Sequence, residues 1–358
     1  MGNKKNKILF ILFLYHLIIT MFSYQYALLH MGDSHFYWGE TINMQHYSWF
    51  DFAHFGNDSI LFINYPFLKL GAPFLVGFLL YSIVGFLGIV KAIQWAECVT
   101  QNKLQYMGVN LIYLIFLLPN LQFWTATLGK EPLVFYGIAS VFHALATDKY
   151  KSFSFVAGGA LLILIRPHVA LMLFMTIVLV YLFQKKWSLA KKVKIGLAAI
   201  TILGFLFYST LQLAKIYYFN WNRIQYYNAF SILSFKHSGS YVPMLEYGIP
   251  HKLFVFLFQP LFFDAPTLIS NLASIENSIV LLLHVVLLFV LFKRAAAIHW
   301  QDWMKVALLF TVISSLLYIQ RYANLGIFMR TKIQFMPFEL IAVVYIIKQG
   351  VGLPNAKN

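Results

Sequence analysis

The chain has 358 residues, of which 60% are hydrophobic and only 11% are charged. A soluble domain carries about 45–50% apolar and about 25% charged residues, so a water-soluble fold of this composition would expose large apolar patches. The net charge of +15 does not indicate nucleic acid, because no segment has the composition of a soluble basic domain. The single cysteine, Cys98, excludes an internal disulfide framework.

Long continuous apolar runs set the predicted fold class. A membrane-spanning helix needs about 20 mostly apolar residues. The runs predict an all-α polytopic integral membrane protein, a single transmembrane domain over residues 1–358 with about ten transmembrane helices. The first run follows a basic start, and no small-residue cleavage site comes after it, which favours a retained span. The predicted spans are roughly 8–30, 72–95, 105–124, 132–147, 152–165, 168–184, 195–214, 276–293, 303–320 and 332–348.

The positions of the lysines predict the orientation. The stretch "QKKWSLAKKVK", residues 184–194, places five lysines in one short connection. Because basic residues concentrate on the cytoplasmic side, this connection and both termini are expected to be cytoplasmic. The periplasmic segments are then about 31–71, 215–275 and 321–331.

One apolar segment, residues 251–271, does not fit this alternation. Counting it as a span would move Lys293 and Arg294 to the outside, and Pro260, Asp264 and Pro266 interrupt it. We expect a re-entrant or interfacial helix on the outer side, because irregular backbone at membrane depth is tolerated where it lines a protein cavity.

A hairpin is predicted at Arg166, Pro167 and His168. One helix over 152–184 would be about 50 Å long, well over the ~30 Å hydrocarbon core. Pro167 breaks it, which places Arg166 and His168 near the outer boundary of the membrane. An arginine at such a place either extends to lipid headgroups or binds an anionic ligand.

Several basic residues lie on the predicted outer side, where the positive-inside rule predicts few of them. Arginine matches phosphate oxygens in a two-pronged geometry, so a phosphate or pyrophosphate entering from the outer leaflet would suit them. Lys130 and Glu131 could instead be ordinary solvated charges at a turn. Glu339 lies inside the last predicted span, where an ionisable residue needs a partner or a cavity. The four cations come from three separate connections: Lys130, Arg166, and Arg321 together with Arg330.

Several familiar motifs are absent from the sequence. No phosphate-binding glycine loop, dinucleotide fingerprint, HExxH or Cys/His cluster occurs, so no cofactor and no metal site are predicted. The first predicted outer segment is rich in histidine and aspartate and could bind a divalent cation, but its spacing matches no metal template.

The order of five short motifs resembles a known pattern. An acid, Asp33, follows the first span, and "LPNLQFWTATLGKEP" carries Lys130 and Glu131. Then come "RPH" at 166–168, "LFQPLFFD" with Asp264, and "NLGIFMR" with Arg330. This order resembles multi-span proteins of bacterial surface-polysaccharide clusters, similar to GT-C-type glycosyltransferases and O-antigen polymerases. The chain departs from the pattern at Gln259, where an arginine is expected.

The resemblance implies transfer of a sugar or oligosaccharide from a polyprenyl-(pyro)phosphate donor to a glycan or lipid-linked acceptor. The reaction would take place at the periplasmic face of a bacterial inner membrane, with Asp33 as the base toward the acceptor hydroxyl. Asp33→Asn and Arg166→Ala are each expected to abolish the product while leaving the protein level unchanged. The donor's phosphate is expected among Lys130, Arg166, His168, Arg321 and Arg330, with Glu131, Asp264 and Glu339 in support.

Two alternatives from other classes remain open. A lipid-linked glycan transporter or flippase predicts ionisable groups along the whole path, including the inner half. A non-enzymatic membrane scaffold of a polysaccharide export system predicts that the outer charges can be exchanged singly without effect.

Overall fold

The protein is nearly all-α. The computed structural model describes residues 2–39, 46–106, 109–182, 188–214, 216, 220–264 and 267–352. Within these ranges the non-helical regular structure is one antiparallel hairpin, β1 (Gln105–Tyr106) with β2 (Val109–Asn110), and an isolated bridge between Tyr241 and Asn324.

Sixteen α-helices lie in the described part of the chain, with four short 3-10 turns between them. The first eight are α1 (Gly2–Leu29), α2 (Asp33–Tyr37), α3 (Asp58–Lys69), α4 (Phe74–Thr100), α5 (Leu111–Phe116), α6 (Pro119–Ala126), α7 (Lys130–Thr147) and α8 (Phe153–Ile165). The others are α9 (Pro167–Leu182), α10 (Leu189–Leu213), α11 (Trp221–Leu233), α12 (Ile249–Phe258), α13 (Leu268–Arg294), α14 (Asp302–Tyr318), α15 (Leu325–Lys332) and α16 (Met336–Val351).

Four helices in the described ranges are long and apolar enough to cross a membrane. They cover Lys5–Leu29, Phe74–Thr100, Leu189–Leu213 and Ser270–Ala297. Shorter apolar helices occupy Phe153–Ile165, Pro167–Leu182 and Ile249–Phe258. The structure is therefore that of an α-helical protein with apolar helices compatible with a bilayer, while the number of spans stays a prediction.

The predicted span at 105–124 is wrong as a single helix. The β1–β2 hairpin occupies its first residues, and the Asn110 side chain accepts the N–H of Ile112 at 3.0 Å, which starts α5 at Leu111. Pro119 then starts α6, because proline fits the first turn of a helix but lacks the N–H that a helix interior needs. Two short helices thus replace one long helix.

Two predicted interruptions are confirmed. The helix over 152–184 breaks at Arg166, where α8 ends and α9 begins at Pro167. The apolar segment 251–271 also breaks, because α12 ends at Phe258, two residues before Pro260. Of the lysine-rich connection 184–194, residues 184–187 lie outside the described residues, and the lysines from Lys191 onward belong to α10.

The chain divides into two compact units. Unit 1 comprises Met1–Val99 and Leu121–Ala170, and unit 2 comprises Thr100–Asn120 and Leu171–Asn358. In unit 1, α7 and α8 pack side by side, and the ring of Trp95 on α4 meets Phe142 of α7 edge to face at 5.2 Å. The prediction of a single transmembrane domain is not decided by this division.

Unit 2 is built around α16. Helices α13 and α14 pack along it, and α12 packs against α13, α14 and α15. A buried aromatic core joins them, in which the ring of Phe256 lies 5.3 Å from Phe328 and 6.0 Å from Tyr318. These helices position the buried polar groups of unit 2.

Candidate functional site

Asp33 is the first residue of α2 in unit 1. It is exposed, and it follows Gly32 just after the end of α1. The ring Nε2 of His35, on the same short helix, donates to the carbonyl of Ala27 at 2.8 Å. This bond holds α2 against the end of α1, so the carboxylate of Asp33 stands at a defined place next to that end.

Lys130 lies against the other end of α2. Its Nζ is 5.7 Å from the ring centroid of Tyr37, the residue that closes the helix that Asp33 opens. A cation within about 6 Å of an aromatic face is attracted to it. Five helical residues rise only about 6 Å, so Lys130 and Asp33 lie near the two ends of one short helix in unit 1.

Arg166 and Glu131 form a buried ion pair. Arg166 Nη2 donates to Glu131 Oε1 at 2.7 Å, and the two side chains are 8% and 1% exposed. Such a charge-assisted bond is short and strong, and it joins the first turn of α7 to the break between α8 and α9. The two charges cancel, so Arg166 and Glu131 together add no net charge to unit 1.

A loop closes over the same break. The carbonyl of Leu164, one of the last in α8, accepts the N–H of Gly56 at 2.8 Å. The hydroxyl of Ser59 lies 3.1 Å from the same oxygen and 2.6 Å from the carbonyl oxygen of His54. A helix end leaves its last carbonyls without helical partners, and the N–H of Gly56 supplies a partner for Leu164. His168 lies half-buried in the first turn of α9. Unit 1 therefore holds Asp33, Lys130, Glu131, Arg166 and His168.

The remaining predicted residues belong to unit 2. Arg321 donates from Nη2 to the hydroxyl of Tyr227 at 2.7 Å, with its guanidinium carbon 4.5 Å from that ring. Arg330 is half-buried in the last turn of α15. Asp264 accepts the N–H of Leu261 at 3.2 Å and so closes a local turn. Convergence of these groups on Asp33 stays a prediction.

Glu339, in the first turn of α16, has a partner that the sequence did not identify. Its Oε1 lies 2.9 Å from Nε2 of His284 on α13. The sequence predicted a partner or a cavity for this acid. A histidine on α13 takes that place.

A second buried polar group in unit 2 surrounds Lys332. Its ammonium is fully buried and donates to the carbonyls of Leu257 and Gln259 at 3.1 and 3.2 Å, and to Oδ1 of Asn277 at 2.9 Å. These acceptors lie where α12 ends, so Lys332 supplies donors to carbonyls that the broken helix leaves open.

Glu276 stands next to Asn277 on α13 and is 2% exposed. Its Oε2 accepts the N–H of Asn120 at 2.9 Å, and its Oε1 has no hydrogen-bond partner among the described residues. From the sequence alone, neither Glu276 nor Lys332 is singled out as a site residue. The pair "EN" inside the apolar run 268–292 is the signal that could have identified this cluster.

The described residues contain no group of three or more His, Cys, Asp or Glu side chains arranged to hold a metal ion. No family model, no curated protein and no solved structure matches this chain. The functional argument therefore depends on the geometry of the two units.

Proposed function

We propose that the chain is a membrane glycosyltransferase or polysaccharide polymerase. It transfers a sugar or oligosaccharide from a polyprenyl-(pyro)phosphate donor to a glycan or lipid-linked acceptor. The proposal includes about ten spans, cytoplasmic termini, and a reaction at the periplasmic face of a bacterial inner membrane. The observation that carries the proposal is the contact of Lys130 with the ring of Tyr37 in α2, the helix that begins at Asp33.

In this proposal Asp33 accepts the proton of the acceptor hydroxyl, and the sugar's bond to the donor phosphate breaks as the new glycosidic bond forms. General-base assistance of this kind contributes about 10²–10⁴-fold. The exposed position of Asp33 beside the end of α1 suits an acceptor that arrives from the aqueous side. The lipid carries the activated sugar, so no nucleotide is needed.

Lys130 stabilises the departing phosphate in this mechanism. Fixed positive charge near a developing negative charge is usually the largest single catalytic contribution. Glu131 and Arg166 hold the first turn of α7, which carries Lys130, to the break at Pro167. Arg166 thus combines a positioning role with the phosphate contact proposed for it. His168, Arg321 and Arg330 are proposed as further phosphate contacts, with Asp264 and Glu339 in support.

The test replaces Asp33 and Lys130 with uncharged residues of similar size. Asp33→Asn and Lys130→Met are expressed in cells that lack the native gene, and surface polysaccharide and lipid-linked intermediates are profiled. We expect Asp33→Asn to lower product formation about 10²–10⁴-fold, and Lys130→Met to lower it as well, at unchanged protein level. Glu246→Gln and Lys236→Met, at exposed positions, serve as matched controls. Normal product from both Asp33→Asn and Lys130→Met refutes the assignment.

A lipid-linked glycan transporter is the second candidate, favoured by one observation. Glu276, Lys332, Glu339 and His284 are buried or nearly buried ionisable groups in unit 2, and such groups in apolar helices often mark transport pathways. The same profiling separates the candidates. Loss of a transferase leaves the unused donor on the outer leaflet, whereas loss of a transporter leaves it on the inner leaflet.

A further inference from the structure

The ring of His284 has one nitrogen whose hydrogen is assigned by its surroundings. Nδ1 lies 2.8 Å from the carbonyl oxygen of Val280, one turn earlier on α13. A carbonyl oxygen only accepts hydrogen bonds, so Nδ1 must carry a hydrogen. In a neutral ring the other nitrogen, Nε2, would then present a lone pair.

That second nitrogen faces a carboxylate. Nε2 of His284 lies 2.9 Å from Oε1 of Glu339, an ordinary hydrogen-bond length. A neutral ring with its hydrogen on Nδ1 and an ionised carboxylate would place two acceptors against each other. The contact therefore requires a second proton, shared between His284 and Glu339.

The surroundings place this proton on the ring. Glu339 lies in the first turn of α16, where the positive end of the helix dipole favours a negative charge. The buried ammonium of Lys332 also interacts favourably with the charge of Glu339. Both effects favour a carboxylate, so the pair is an imidazolium facing an anion.

The charge on Lys332 also follows from counting hydrogen-bond donors and acceptors. Its nitrogen has three oxygen acceptors, from Leu257, Gln259 and Asn277, and only the protonated amine has three N–H donors. Asn277 must accept through Oδ1, because its Nδ2 donates to the carbonyl of Pro260 at 2.9 Å. Lys332 is therefore a buried cation.

Two acidic side chains, Glu276 and Glu339, lie in the same region of unit 2 as Lys332 and His284. An isolated buried charge is very costly, so paired charges are the arrangement that a low-dielectric interior tolerates. Removing the proton from His284 takes the positive charge of that partner away from Glu339.

Other neighbouring elements add few ionisable groups around the pair. Helix α12 presents the ring of Phe258 at 5.1 Å from His284, and its charged residues, His251 and Lys252, lie at its opposite end. Residues 306–318 of α14 and the whole of α5 contain no acidic or basic residue, and carry only the hydroxyls of Tyr318 and Tyr113 as titratable groups. Asp264 lies on the 3-10 turn that packs against α13.

We propose that His284 and Glu339 form a proton-binding site in unit 2, at the contact between α13 and α16. The ligand is a proton exchanged with water: uptake converts a neutral ring into an imidazolium, and no other covalent bond changes. On release the ring keeps one N–H, so either the contact with Glu339 or the contact with the carbonyl of Val280 is left with two acceptors facing each other. Proton binding here needs no sugar or phosphate, although Glu339 is also proposed as a supporting residue in glycosyl transfer.

Nitrogen NMR of the full chain, labelled with ¹⁵N-histidine and placed in lipid nanodiscs, tests the proposal. At pH 7 we expect His284 to show two protonated ring nitrogens, and we expect this signal to convert to the neutral ring at alkaline pH. A dipolar contact to the ¹³C-labelled carboxyl of Glu339 assigns the signal in the native chain, so the result does not depend on any variant's folding.

Glu339→Gln should leave His284 as a neutral ring at the same pH 7, because an amide supplies no counter-charge. The matched exposed substitutions Glu246→Gln and His299→Gln should leave the His284 signal unchanged. A native ring that is neutral from pH 5 to pH 9, or a doubly protonated ring that persists in Glu339→Gln, overturns the proposal. The ring signal is measured without any sugar substrate, and the glycan test rests on Asp33 and Lys130, so the two proposals fail separately.

Discussion

Arg166 illustrates how burial changes the interpretation of one residue. From sequence it is a cation at a helix break, able to bind phosphate. In the structure its side chain is 8% exposed and bonded to a carboxylate that is 1% exposed. Removing one partner of a buried ion pair costs about 3–5 kcal/mol, because the other charge stays buried without compensation. The expectation that Arg166→Ala leaves the protein level unchanged is therefore replaced by one of reduced level.

A double-mutant cycle tests this pair. Arg166→Met and Glu131→Met should each lower the free energy of unfolding by about 3–5 kcal/mol, whereas the double variant should lose less than either. Thermal unfolding in detergent micelles measures the effect. The exposed pair Lys305–Asp302, at 3.1 Å, is the control, and its loss should change stability by less than about 1 kcal/mol. Additive losses in unit 1 would contradict the pairing.

Among the elements, α7 and α8 pack at unusually short range. A Cβ placed on Gly137 would lie 2.6 Å from the carbonyl oxygen of Gly158, and a Cβ on Gly158 would lie 2.9 Å from Cβ of Ser140. Small residues at such a crossing allow two apolar helices to approach closely, which is the main source of helix association inside a bilayer. The crossing also fixes the distance between the first turn of α7 and the break after α8.

Neighbouring glycines of α8 provide a matched test of this crossing. Gly158→Ala should lower the melting temperature, because the added methyl group meets Ser140 and the backbone of α7. Gly159→Ala meets nothing within 4 Å and should be neutral or stabilising by up to about 1 kcal/mol, since alanine favours the helix. Equal melting temperatures for the two variants would show that the close approach of α7 and α8 does not occur.

Lys332 gives the end of α12 a specific partner. The segment 251–271 is interrupted as its prolines predict, but proline alone does not say where the open carbonyls find donors. The ammonium of Lys332 and the amide of Asn277 supply them. The interruption is thereby bonded to α13 and α15, while a re-entrant or interfacial position for α12 stays a prediction.

At the scale of the whole molecule, the orientation in the membrane can be tested by cysteine labelling. In a Cys98→Ser background, single cysteines replace Leu70, Tyr150, Lys236 and Lys293, all of which are exposed. With about ten spans, a membrane-impermeant maleimide should label positions 70 and 236 from outside, and positions 150 and 293 only after permeabilisation. Labelling of 150 and 236 from the same side would contradict the predicted spans between them.

The amino-acid sequence by itself determined the helical class and where several helices end. Continuous apolar runs predict apolar helices compatible with a bilayer, and Pro119 and Pro167 act through their own missing N–H, which needs no knowledge of distant residues. It did not determine the number of spans, because the long apolar run at 105–124 contains a hairpin and a helix start that hydropathy does not detect.

Only the tertiary structure decided which charged residues are partners. Glu131 with Arg166, Lys332 with Asn277, and His284 with Glu339 are each separated by at least one helix boundary along the chain. A helix that is apolar all round has no polar face to indicate which side turns inward, so its sequence does not say what its few polar residues meet. Helix packing sets those rotations, and with them the bonds that hold each buried charge.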